Sequence, residues 1–149
     1  MPEFKIPARE NFLFSSPIHI RWADIDALQH VNNAVYLSYF EQARIDYFRE
    51  VVHWNWDEIG MILASNTIHY LEPLFPRDKA TVQMRTSRLG NKSFEMEYLV
   101  VKQTSGGEKV ITLASAVLVA FDYRNDKTIP LPTAYRDAIL AFEKGLSTH

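Results

Sequence analysis

The chain of 149 residues contains no cysteine, which excludes disulfides, a thiolate metal site and a cysteine nucleophile, and leaves its redox compartment open. Glycine is scarce, at five residues, and none of them forms a P-loop or a dinucleotide-binding fingerprint. No G-x-S-x-G occurs, so a serine nucleophile elbow is missing as well. Neither charge sign prevails: 16 Lys and Arg against 18 Asp and Glu leave a net charge of -2 without a long basic run, and nucleic acid is not an expected partner. No apolar run approaches the length of a membrane span, and the opening MPEFKIPARENF carries acidic residues where a signal peptide would be apolar. The expectation is a soluble cytoplasmic protein with no membrane partner. An apolar content of 47% over this length predicts one compact domain spanning residues 1–149, with no repeats.

What is present concentrates in one stretch, Ile18 to Glu50, IHIRWADIDALQHVNNAVYLSYFEQARIDYFRE. Ile18 to Trp22 alternates apolar and polar residues and reads as a strand. Ala23 to Asn33 then packs Asp24, Asp26, His30, Asn32 and Asn33 into a loop with neither strand nor helix period. From Ala34, apolar residues recur at spacings of three and four through Val52, which predicts a long helix wrapped by the rest of the chain. Asn32 or Asn33 suits its N-cap, and no cation follows in the first turn. Unpaired N–H groups and the positive end of the helix dipole should therefore face a carbonyl or anionic oxygen there.

Before this stretch, residues 1–16 read as an arm with a short edge segment near Phe12 to Phe14. After it, Trp54 and Trp56 are expected to cover the edge of the core. Four strand-like runs follow, at about Met61 to Leu71, Lys79 to Leu89, Ser93 to Gln103 and Lys109 to Tyr123, and Ser105-Gly106-Gly107 is a hairpin signal. A last helix is expected from Thr133 to Lys144, stopped by Gly145. Strand, long helix, then consecutive strands make an antiparallel α+β domain.

Two neighbouring carboxylates can serve acid–base or nucleophilic chemistry, since repulsion and burial separate their affinities for protons. The bland alternative is that one of them, Asp24 in particular, caps a turn. His30 beside them suggests metal ligands, but no second histidine is spaced to join it, so no metal and no organic cofactor are expected.

The run D-I-D-A-L-Q-H-V-N-N-A-V-Y-L-S-Y-F-E-Q-A-R (Asp24 to Arg44) resembles the signature of hotdog-fold acyl-coenzyme A thioesterases of the 4-hydroxybenzoyl-coenzyme A thioesterase type. The later segments P-L-F-P-R-D, G-N-K-S-F and A-S-A-V-L-V-A-F-D keep the family's order, so the likeness covers about residues 17 to 135. It implies an α+β hotdog fold, an antiparallel sheet of about five strands wrapped around a long central helix. It also implies hydrolysis of an acyl-coenzyme A, or of an acyl carrier protein thioester, by a homodimer or homotetramer whose sites are shared between subunits. Asp26 matches the family's catalytic carboxylate, and Asn33 the residue whose backbone N–H polarises the thioester carbonyl. Lys92 matches a basic position that meets coenzyme A phosphates. His30, Asn32 and Tyr36 are the further residues expected to bind substrate. Glu41 matches an acidic helix position without a clear role. Gln29 stands where many members have glycine, and Gln resists the positive φ that glycine tolerates, so a different loop backbone is expected.

Asp26 and the helix start together supply what thioester hydrolysis needs, a nucleophile or base and donors for the developing oxyanion. Arg77, Lys79, Arg85 and Arg88 could also meet phosphates, although strand cations more often protect edges. Tyr36, Tyr39 and Phe40 read as core before acyl pocket. Two rival functions remain, a hydratase or dehydratase on the same fold, and a non-catalytic acyl-thioester binding domain. Both faces of the closing strand are apolar around Val117 to Ala120, which predicts an exposed edge covered by a second copy.

Overall fold

A computed structural model of the chain describes residues 3–148, so the first two residues of the expected N-terminal arm lie outside the described range. The elements in chain order are β1 (Phe14–Pro17), α1 (Tyr36–Tyr47), β2 (Gly60–Tyr70), β3 (Ala80–Leu89), β4 (Ser93–Thr104), β5 (Gly107–Asp122), β6 (Lys127–Thr128) and α2 (Thr133–Phe142). The sheet is antiparallel, in the order β1-β3-β4-β5-β2, with the two-residue β6 added to β5. It curls around α1, which is the hotdog fold.

The segment expected as a strand at Ile18 to Trp22 is not one. β1 runs antiparallel to β3 with Pro17 opposite Thr81, and the Ile18 N–H takes the carbonyl of Ala80, the first residue of β3. Beyond that point no neighbour remains to pair with. The chain instead tightens into a 3₁₀ turn at Trp22–Asp24, while Ile18 and Ile20 still rest against the core.

α1 begins from a 3₁₀ turn, Asn33–Val35, capped by Asn32, whose Oδ1 accepts the Ala34 N–H at 2.9 Å. It runs on through a π-helical turn, Phe48–Val52, and stops where His53 takes the left-handed conformation. Phe40, Ala43, Tyr47 and Phe48 are buried against Met84, Phe94, Met96, Tyr98 and Leu118 of the sheet. Each such large side chain contributes roughly 1.5–3 kcal/mol by leaving water. The helix is not wrapped all round, however: Leu37 and Ile45 remain 42% and 38% exposed, and their face stays open.

The other side of the sheet is not bare. Phe12, from the N-terminal arm, packs with Leu99, Val101 and Leu113 there, and Phe4 joins them. The closing strand β5 lies between β4 and β2, so its apolar faces do not mark an edge. The long free edge belongs to β2, eleven residues that are mostly exposed along their length.

Candidate active site

The loop before α1 is a small hairpin. Ile25 and Val31 form an isolated antiparallel bridge, with the Asp26 N–H donating to His30 O at 3.1 Å and the Asn32 N–H to Asp24 O at 2.9 Å. Its tip closes through Asp26, whose backbone carbonyl accepts the Gln29 N–H and whose Oδ1 accepts the Leu28 N–H at 2.9 Å. Gln29 sits at φ 65°, so the backbone adopts the left-handed geometry that glycine would favour, contrary to the expectation of a different loop. The cross-bridge and the Asp26 turn fix that conformation more strongly than the side chain resists it.

The two aspartates are differently employed. Asp24 is fully buried: its Oδ2 accepts the Arg21 N–H at 2.9 Å and the Tyr39 hydroxyl at 2.7 Å, and its Oδ1 accepts the Arg21 guanidinium. Burial pushes this carboxyl up, but those donors outweigh it and hold Asp24 below the usual carboxylate range. Burial, with Asp24 as acceptor, raises the Tyr39 hydroxyl in turn. Asp24 is therefore a structural carboxylate that ties the loop to α1. Asp26 is half-buried, and its Oδ2 has no partner among the described residues.

At the helix start, the Asn33 N–H has no acceptor among the described residues, whereas Asn32 and Ala34 have theirs. Tyr70, at the end of β2, donates its hydroxyl to the Asn33 carbonyl at 2.7 Å. Asn33 and Tyr70, together with His30, Tyr36 and Glu72, line a cavity of about 240 Å³. His30 is half-buried, its ring edge-on to Phe75 and Nδ1 3.3 Å from the Val31 carbonyl. Tyr36 is buried, packed edge-on against Tyr70, and burial raises its hydroxyl. The side chain of Asn32 is spent on capping.

A larger cavity, about 590 Å³, opens between α1 and β2 and is lined by Glu41, Arg44, Ile45, Phe48, Trp56, Met61, Leu63 and Leu118. Trp54 is buried at the core edge, but Trp56 is half exposed and faces this cavity. Among the cations named above, Arg85 is buried and donates to the Gly145 carbonyl, and Arg88 meets Glu95. Lys92 lies exposed in the turn between β3 and β4, with no ion-pair partner among the described residues. Tyr70, Arg44, Met61 and Leu63 do not stand out in the sequence. A tyrosine ending a strand and an arginine within a helix carry no local signal of what they will face.

Residues 20–139 match the thioesterase-like superfamily. The long-chain acyl-CoA thioesterase FadM of Escherichia coli K12 is 26% identical over 125 residues, 82% of this chain and 93% of FadM. A thioesterase from Thermus thermophilus, solved in complex with coenzyme A and zinc, is 36% identical with a TM-score of 0.77, covering 89% of this chain and 95% of that one. The PA5185 protein of Pseudomonas aeruginosa PAO1 superposes with a TM-score of 0.82 at 27% identity, over 93% of this chain and 97% of its own. The chain belongs to the thioesterase-like superfamily, and the activity of that family makes it a thioester hydrolase.

Proposed function

We propose that the protein hydrolyses acyl-coenzyme A thioesters in the manner of the 4-hydroxybenzoyl-coenzyme A thioesterase branch, with Asp26 as its catalytic carboxylate. The observation that carries this reading is the contrast between the two aspartates. Asp24 has every oxygen committed, while Asp26 keeps Oδ2 open on the loop that delivers the unpaired Asn33 N–H. A carbonyl oxygen held on that N–H gains stabilisation as it becomes an oxyanion, and the helix dipole adds to it. Asp26 then either attacks the carbonyl carbon, expelling the thiolate and leaving an anhydride for water to cleave, or takes a proton from the attacking water. His30 and Tyr36, beside Asn33, border the thioester, and Asn32 contributes by fixing the helix start.

Coenzyme A as the carrier is supported by the coenzyme A bound in the Thermus relative and by the acyl-CoA substrates in the name of FadM. Lys92, exposed and without an ion partner among the described residues, is the candidate for a coenzyme A phosphate. The apolar cavity between α1 and β2 is the candidate for the acyl group. The unpaired β2 edge supports a homodimer joined along it, since a free edge of that length invites pairing with a second copy.

A panel of acyl-coenzyme A substrates with detection of free thiol tests the reading. Thiol release that Asp26→Asn lowers by about 100-fold or more is expected. A change in the acyl chain without thiol release would replace this reading with a hydratase.

A further inference from the structure

Arg44 lines the larger cavity with 9% of its surface exposed, and its guanidinium has one hydrogen bond, from Nη1 to the Tyr98 hydroxyl at 3.2 Å. No carboxylate lies within ion-pair distance among the described residues. A cation so far removed from water is costly without an anion beside it. Glu41, one turn earlier on the same helix, lines the same cavity, is exposed, and has no partner of its own among the described residues. The two do not reach each other. Around them lie Ile45, Trp56 and Leu63, with Leu37 one turn before Glu41 on the same helix, all between 38% and 49% exposed. A face with one unmatched anion, one unmatched cation and an apolar surround is complementary to itself when turned about a two-fold axis.

The geometry places such an axis where it is needed. α1 and β2 run in opposite directions, tied at one end by the Tyr70–Asn33 hydrogen bond and meeting at the other where Phe48 and Met61 share the cavity. Ser65 and Asn66 stand at the middle of β2, and Glu41 at the middle of the helix between those two ties. Two copies pairing antiparallel along β2 put the axis through the strand's middle, and so beside Glu41. The two helices then pass each other antiparallel, and Arg44 stands about 4.5 Å along the helix from the level of the partner's Glu41, a span that its long side chain covers.

We infer that two copies of this chain close the cavity reciprocally, Glu41 of the partner subunit supplying the carboxylate for Arg44, and Arg44 of the partner subunit answering Glu41. This rests on the subunit pairing proposed above and adds what fixes its register: each cavity is completed by a residue of the other copy.

Sedimentation of the full chain tests it with charge exchange. The wild type should be a dimer. Glu41→Arg and Arg44→Glu should each weaken self-association by at least about tenfold, because each sets like charges opposite one another. The double variant Glu41→Arg/Arg44→Glu should associate again, and so should an equimolar mixture of the two single variants, in which both contacts become opposite in sign. Glu41 is exposed, so Glu41→Arg leaves the fold intact by circular dichroism. Should Arg44→Glu fail to fold, Arg44→Gln, which keeps a donor for Tyr98, should relieve the Glu41→Arg defect in its place. A dimeric wild type whose association Glu41→Arg leaves unchanged overturns the reciprocal pair and spares the dimer. Failure of the double variant, the mixture and the Arg44→Gln rescue together also overturns it. A monomeric wild type overturns the pair and the proposed dimer alike.

Discussion

The hydroxyl of Tyr70 donates a 2.7 Å hydrogen bond to the backbone carbonyl of Asn33, the residue whose own N–H is left without an acceptor at the start of α1. The sheet edge thereby holds the peptide that would face the thioester. Because the bond fixes orientation and touches no reacting atom, Tyr70→Phe should lower kcat by about three- to tenfold with little change in KM. An unchanged kcat would show that the helix start is held by its cap alone.

Asp24 and Asp26 should separate in opposite assays. Asp26→Asn should lose turnover while unfolding at the wild-type denaturant midpoint. Asp24→Asn should retain more activity and lose about 1–3 kcal/mol of stability, since it weakens bonds to Tyr39 and Arg21 at a buried position. Chemical denaturation and thiol release on the two variants decide between the roles, and the reverse pattern would exchange them.

Two buried carboxyls should bend the pH profile of stability in opposite senses. Asp24 is held below its ordinary value of 3.8 in the folded protein, so its contribution is complete above that value and is lost as pH falls through the lowered one. Glu143 lies on the other branch. Its Oε1 accepts the Tyr47 hydroxyl at 2.7 Å and the Thr86 N–H at 2.8 Å, its Oε2 has no partner, and burial raises it above its ordinary 4.5. Its contribution is complete below 4.5 and declines as pH rises through the raised value. Glu143→Gln should therefore flatten the pH dependence of the melting temperature between 4.5 and the raised value. A profile with the same slope in the variant would remove Glu143 as its source.

Lys92→Ala should raise KM for acyl-coenzyme A more than it lowers kcat, and added salt should narrow the difference from wild type. With an acyl-pantetheine substrate, which lacks the nucleotide phosphates, the variant and wild type should converge. Equal losses on both substrates would exclude a phosphate contact.

The local features of this protein are legible in its residues. The cap at Asn32, the helical spacing from Tyr36 to Phe48 and the hairpin at Ser105 to Gly107 all express short-range backbone and side-chain preferences, whereas the last helix ends at Phe142, with Glu143 extended, short of the stop expected at Gly145. The D-x-D and H-V-N-N motif locates the stretch that carries the candidate site. Strand partners are not legible, because pairing depends on which segments reach one another across the fold. Ile18 to Trp22 alternates as a strand does but lies past the first residue of β3, and β5 has the apolar pattern expected of a covered edge although β2 lies outside it. Gln29 adopts a positive φ because a cross-bridge between Ile25 and Val31 closes its loop, which overrides its own preference. The sequence alone offers two neighbouring aspartates; tertiary packing commits Asp24 to Tyr39 and Arg21, leaves an oxygen of Asp26 open, and sets Arg44 and Glu41 unmatched on one face. Residue type and spacing determine which groups a chain carries, but burial and long-range hydrogen bonds decide which of them remain free to act.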